Sequence, residues 1–200
     1  WTLCAGGTLV LPTAEQHHDV LALANLIAKT NVTHTLCLPS LYEFLLDHAA
    51  PGSLASLKTV IVAGESCDGR VVHKHFACLP KTELHNEYGP TEATVWSTVQ
   101  QLAATDTAAV PIGQAAPQTS ILLLDTKQQP VPVGMPGEIY IAGPKIAKGY
   151  RNRPDLTADA FIANPFSDHP ESRLYRTGDR AKQRADGSLI FLGRIDNQLK

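Results

Sequence analysis

A mixed α/β fold is what the 200-residue sequence predicts, with a parallel-sheet α/β portion followed by a smaller β-rich portion that resembles a distorted barrel. Two observations carry this. Through residue 105, short apolar runs alternate with helix-length stretches whose apolar residues recur at helical spacing. Beyond it, short strand-like runs follow one another, broken by glycine and proline turns. The composition, 44% hydrophobic and 18% charged, is that of a globular chain able to build one good core or two small units.

In the first portion, residues 1–105, the apolar run 8–11 follows Gly6-Gly7, stops at Pro12 and reads as a strand. Residues 18–29 place Val20, Leu21, Leu23, Ala24, Ile27 and Ala28 on a helical stripe. Residues 33–38 read as a second strand. Ser40 then offers a helix cap, Glu43 completes a capping-box pattern, and Leu41, Phe44 and Leu45 share one face. A buried-type strand at 60–63, a helix at 68–79 closed by Pro80, and a strand at 83–87 complete the alternation.

The second portion, residues 106–195, opens with a connector (105–117) rich in Ala, Pro and Thr. Short strands are expected at 120–125, 138–142, 174–176, 181–184 and 189–192, with turns at Val133-Gly134-Met135-Pro136-Gly137 and Asp186-Gly187. One helix is expected, at 155–161, with Asp155 or Thr157 near its start. A small barrel or curled sheet follows from this pattern.

Several function classes are disfavoured. Lys and Arg number 17 against 19 Asp and Glu, and no basic stripe marks a nucleic-acid interface. The longest apolar runs, 20–24 and 60–63, fall far below the ~20 residues of a membrane span, and no signal peptide opens the chain. The 4 cysteines are widely spaced without a Cys-x-x-Cys pair, which suits reduced thiols and a cytoplasmic location. Among 8 histidines none has a His-Glu-x-x-His spacing, and His73 and His75 lie two apart on a helix, where side chains do not face each other. The first residue is Trp1, and the last, Lys200, interrupts a patterned segment, so a piece of a longer polypeptide is expected.

Loops that follow strands of a parallel sheet are where ligands bind. Two are candidates here. Asn86-Glu87-Tyr88-Gly89-Pro90-Thr91-Glu92 holds an aromatic ring, a hydroxyl and a carboxylate on a turn, a set that can serve a base, phosphate oxygens and Mg²⁺; a solvent-facing turn is the plain alternative. Gly64-Glu65-Ser66-Cys67-Asp68 approaches the Gly-x-Ser-x-Gly elbow of serine hydrolases, but Asp68 stands where the last glycine belongs and only His169 lies far enough downstream for a triad. Tyr175-Arg176-Thr177-Gly178-Asp179 and Gly193-Arg194-Ile195-Asp196 each join an arginine and a carboxylate near glycine, either as exposed ion pairs or as a grip on sugar hydroxyls and phosphate.

In this order and at these separations, residues 86–92, Gly137-Glu138-Ile139-Tyr140-Ile141-Ala142-Gly143, Lys148-Gly149-Tyr150-Arg151-Asn152-Arg153-Pro154-Asp155-Leu156-Thr157, 175–179 and 193–200 closely resemble the amino-acid adenylation domains of nonribosomal peptide synthetases. The resemblance runs over nearly the whole chain. It implies a fragment of an enzyme that joins an amino acid to ATP, releases pyrophosphate and passes the aminoacyl adenylate to the phosphopantetheine thiol of a carrier protein. The amino acid, the carrier and a neighbouring condensation domain would be its partners.

The resemblance also implies roles. Tyr88 would lie against adenine, with Asn86 and the Gly64 backbone at the base edge. Thr91 would contact phosphate and Glu92 hold Mg²⁺. Asp179 would bind both ribose hydroxyls, and Arg194 would lie near ribose and phosphate. Cys37, Ile61, Ala63, Glu87, Val95 and Trp96 would face the amino-acid side chain, and the Gly89 and Val95 carbonyls its ammonium. A buried Glu87 would need a partner or water. Asp196 would be the hinge, with 196–200 opening onto a C-terminal subdomain that carries the catalytic lysine. That lysine and the upstream phosphate loop lie outside the 200 residues, so the fragment alone is expected to be inactive. Two other readings are a non-catalytic domain kept for protein contacts, which would predict damage at Thr91, Glu92, Asp179 or Arg194 that the sequence does not carry, and a serine hydrolase at Ser66.

Overall fold

The computed structural model describes residues 2–195. They divide into two compact units, the first comprising residues 2–85 and 103–107 and the second 86–102 and 108–195. No helix among the described residues is long and apolar enough to cross a membrane.

The first unit begins with α1 (Ala14–His17), whose start is fixed by a capping box between Thr13 and Gln16. Helix α2 (Val20–Thr30) is capped by Asp19, which accepts from the amides of Leu21 and Ala22, and it ends on Asn31 in the left-handed conformation. Strand β1 (His34–Cys37) pairs in parallel with β2 (Thr59–Ala63), Leu36 opposite Ile61. Between them α3 (Pro39–His48) makes the crossover, packing on α2 and on α4 (Gly69–Cys78). Asp68 caps α4 through the Arg70 amide. Strand β3 (Glu83–Tyr88) starts in this unit, where the Glu83 amide donates to the Lys58 carbonyl.

The core of this unit includes a buried polar chain. His75, 0% exposed, meets the Tyr42 hydroxyl at Nδ1 (2.6 Å) and the Thr82 carbonyl at Nε2 (2.8 Å). A carbonyl can only accept, so Nε2 carries the proton and Nδ1 accepts from tyrosine. His73, two residues earlier, points to solvent.

The second unit takes the end of β3, then β4 (Thr98–Leu102) and the two-residue β5 (Gln114–Ala115), antiparallel to β4. Its larger sheet is antiparallel and follows an open path, β10-β9-β7-β6, with β8 added on β9. The strands are β6 (Ser120–Leu124), β7 (Pro136–Ala142), β8 (Phe161–Ala163), β9 (Arg173–Gln183) and β10 (Leu189–Arg194). Helix α5 (Pro154–Ala160) precedes β8. Strand β7 is buried on both faces: Ile139 and Ile141 join one apolar cluster with Tyr88, Phe161, Tyr175 and Leu189, and Tyr140 and Ala142 join a second with Leu124 and Leu174. Alternation sends successive side chains to opposite clusters, which explains a continuous apolar run in an antiparallel strand.

Four expectations are corrected. Residues 8–11 form no strand, because a strand needs a hydrogen-bonded neighbour and the sheet order provides none; Leu9 and Leu11 are exposed. Ser40 is not a cap. Pro39, with φ already suited to the first helical turn, starts α3 and leaves Ser40 inside that turn, where its amide donates to the Glu65 carboxylate at 3.2 Å. Glu43 pairs with Lys74 (2.9 Å) and takes no part in a capping box. Segments 174–176 and 181–184 are one strand, β9, since the Gly178 amide is held by the buried Glu138 carboxylate (3.1 Å) and Thr177 Oγ1 by the Ile139 carbonyl (2.8 Å).

Candidate active site

The loop from Gly89 to Ser97 is closed by short backbone contacts. The Ser97 amide donates to the Tyr88 carbonyl (2.7 Å), and the Val95 amide to the Pro90 carbonyl (3.3 Å). A Cβ on Gly89 would come within 2.0 Å of the Val95 carbonyl oxygen, so glycine is required there by close approach. Thr91–Ala93 makes a single 3-10 turn that presents Thr91 to solvent, with Glu92 half-buried. Thr94 and Val95 both have positive φ (59° and 75°), an unusual strain for β-branched residues. Trp96 is 38% exposed, and the Lys145 ammonium sits 5.0 Å from its ring centre.

At Tyr88, the last residue of β3, three assigned residues converge within the second unit. The Tyr88 hydroxyl donates to Asp179 Oδ2 at 2.6 Å, and Arg194 Nη1 donates to Asp179 Oδ1 at 3.2 Å. Arg194 also reaches the Thr177 carbonyl (3.1 Å), and the Thr177 hydroxyl accepts from the Asp179 amide (3.0 Å). The carboxylate is 2% exposed and compensated by a guanidinium in direct contact. Burial, and then the Asp179 charge, push the Tyr88 hydroxyl far above its ordinary pKa, so it stays protonated and donates. The Tyr88 ring lies 6.1 Å from that of Phe191. The cluster brings a carboxylate, a hydroxyl and one positive charge together, the kinds of group that recognise a polar ligand.

Asn86 is placed otherwise. It is 2% exposed and its amide nitrogen donates to the Pro111 carbonyl at 2.9 Å, an anchoring bond within the fold. Glu87 is half-buried and does not lack partners. In the first unit, Ile61 is buried on β2, Ala63 ends that strand, Gly64 follows with φ 87°, and Cys37 ends β1. Burial pushes the Cys37 thiol up to about 12. Ser66 lies in the loop before α4 but is not among the residues with positive φ, so the strained turn of a nucleophile elbow is not formed. Asp196 falls outside the described residues.

Sequence reasoning left Phe191, Thr177, Glu138, Tyr150 and Tyr175 without a role. All but Phe191 stand inside the motifs that carry the resemblance, and only their contacts give them work. Glu138 accepts from Arg176 Nε (3.0 Å) and the Gly178 amide, which fixes the stretch of β9 ahead of Asp179. Among the described residues no group of three His, Cys, Asp or Glu side chains could hold a metal ion.

The family described as AMP-binding enzyme matches residues 1–151. A plipastatin synthase of Bacillus subtilis is 43% identical over 99% of this chain, and enterobactin synthase component F of Escherichia coli is 39% identical over all of it. The chain spans 5% of the first relative's length and 16% of the second's. Among solved structures, PA1221, a nonribosomal peptide synthetase protein containing adenylation and PCP domains, superimposes with a TM-score of 0.83 at 33% identity, covering 90% of this chain and 36% of that one. CmiS6 gives 0.89 at 28% identity over 98% of this chain and 48% of its own. The match over three quarters of the sequence leads to one conclusion: the chain belongs to the AMP-binding enzyme family, as an adenylation-domain sequence of the nonribosomal peptide synthetase type.

Proposed function

We propose that this chain is part of a domain that activates an amino acid with ATP, forming aminoacyl-AMP and pyrophosphate, and that loads the product on a phosphopantetheinyl carrier protein in the cytoplasm. A condensation domain of the same synthetase would be its neighbour. The observation that carries this reading is the buried cluster of Tyr88, Asp179 and Arg194, formed by three residues that the resemblance assigns to nucleotide binding.

Asp179 would accept from the ribose hydroxyls, Arg194 would place its charge toward ribose and phosphate, and Tyr88 would offer its ring to adenine. Thr91, exposed at the head of the 3-10 turn, would donate to a phosphate oxygen. Glu92 suits Mg²⁺, because it is a hard oxygen donor on a half-buried turn and such ions share one or two carboxylates with substrate phosphates. When bound, the ion would offset the negative charge of those phosphates. The remaining requirement is positioning with charge stabilisation, so no nucleophilic side chain is needed. Selectivity for the amino acid is assigned, on the resemblance, to Cys37, Ile61, Ala63, Glu87, Val95 and Trp96, with the Gly89 and Val95 carbonyls toward the ammonium.

Amino-acid-dependent exchange of pyrophosphate into ATP by the complete polypeptide, screened over the amino acids, tests the reading. Exchange with one or a few amino acids, lost in Asp179→Ala, is expected. Absence of exchange with every amino acid, despite a folded protein, would overturn it. The 200 residues alone should give none, since they span 36% of the PA1221 chain.

A further inference from the structure

Tyr150 has no assigned role, yet it is fixed more tightly than a loop residue needs to be. Its amide donates to the Thr157 hydroxyl at 2.9 Å, and Thr157 is itself tied to the Arg153 carbonyl at 2.8 Å. The preceding Gly149 has φ 143°, and a Cβ there would fall 2.4 Å from Thr157 Cγ2. Just upstream, Arg173 clamps the Lys148 and Ala147 carbonyls at 2.9 Å each. The Ala147 amide in turn donates to the Glu92 carbonyl (2.8 Å), and Thr94 Oγ1 to the Lys145 carbonyl (2.6 Å). Segment 145–150 is therefore strapped along the Glu92 turn, and its last side chain ends on that turn's carboxylate. The Tyr150 hydroxyl donates to Glu92 Oε1 at 2.6 Å. The Tyr150 ring and the ring of the buried Tyr175 both pack on Phe161, at 5.6 Å and 5.1 Å between ring centres.

A bond of that length from a neutral hydroxyl to a carboxylate is charge-assisted. Packing does not demand it, because a half-buried carboxylate can be solvated by water. What the bond does is fix the direction of the carboxylate plane, leaving acceptor capacity on the group for another ligand.

We propose that Tyr150 is a positioning residue that aims the Glu92 carboxylate at the magnesium–nucleotide complex. This rests on the reading of Glu92 given above. Removing an outer partner of a metal-ligating carboxylate typically weakens metal affinity about 10–100-fold.

The complete polypeptide and its Tyr150→Phe variant are compared by Mn²⁺ electron paramagnetic resonance titration in the presence of ATP, by the Mg²⁺ dependence of pyrophosphate exchange, and by thermal melting. We expect at least about a 10-fold weaker metal affinity, exchange recovered at high Mg²⁺, and an unchanged affinity for ATP without metal. Equal metal affinity in the two proteins would overturn the proposal while leaving the functional reading intact. An unaltered protein that shows no metal-dependent ATP binding would overturn both. Should Tyr150→Phe fail to fold, 3-fluorotyrosine at position 150 keeps ring and hydroxyl. Its fluorine resonance should then shift with Mg²⁺ and ATP together but not with ATP alone, and no shift overturns the proposal.

Discussion

Arg194 stands directly opposite Asp179 across β9 and β10 because one extra residue is accommodated between Phe191 and Gly193. Phe191 faces Ala181, and with regular pairing Arg194 would then face Gly178. The bulge shifts the register so that Gly193 faces Arg180 and Arg194 faces Asp179. Cross-strand partners point to the same side of a sheet, so this irregularity creates the ion pair.

Asp179→Asn should weaken ATP binding about 10–100-fold, the range for losing a hydrogen bond to a charged group. It also leaves Arg194, whose side chain is 17% exposed, without its carboxylate. Calorimetric titration with ATP checks the affinity, and a thermal melt separates this from unfolding. An unchanged affinity in a folded variant would remove Asp179 from the nucleotide site.

Gly89→Ala forces a methyl group toward the Val95 carbonyl oxygen, 2.0 Å from the ideal position. Backbone must move, and overpacking of this kind costs about 1–3 kcal/mol. For a chain of this size, the melting temperature should fall by roughly 2–12 °C. A fall below one degree would show that the loop adapts freely.

His75 makes the first unit sensitive to acid. Desolvation lowers its pKa in the folded state, against the weaker upward pull of the Thr82 carbonyl. The unfolded chain then binds the proton more readily. The stabilisation is complete above the ordinary value of 6.5 and is lost as pH falls from there toward the lowered folded value. Melts between pH 8 and pH 5 should show this decline, and His75→Gln should flatten it. An equal pH slope in the variant would assign the effect to other groups.

Thiol labelling of the native protein at pH 8 should modify Cys4 and Cys78, which are exposed, and spare Cys37 and Cys67. Burial raises both protected thiols to about 12, leaving almost no thiolate. Mass spectrometry after a short reaction distinguishes the four sites, and rapid labelling of Cys37 would show that β1 opens readily.

Local chemistry set much of this molecule in advance. Apolar runs placed β1, β2, β6, β7 and β10 within a residue or two, and Asp19 and Asp68 fixed the starts of α2 and α4, because caps and alternation act between near neighbours. The motif at residues 86–92 likewise marked the turn that carries Glu92. Long-range partners decided the rest. Residues 8–11 have strand-like composition but no ladder partner, and Gly178 reads as a turn until Glu138 binds its amide and keeps β9 continuous. Tyr88 meets Asp179 across 91 residues, and Tyr150 meets Glu92 across 58. Sequence by itself determined which residue types this protein has for nucleotide chemistry. Only the tertiary structure decided which of them touch, because β-sheet register, here reset by a bulge, is not encoded in any one segment.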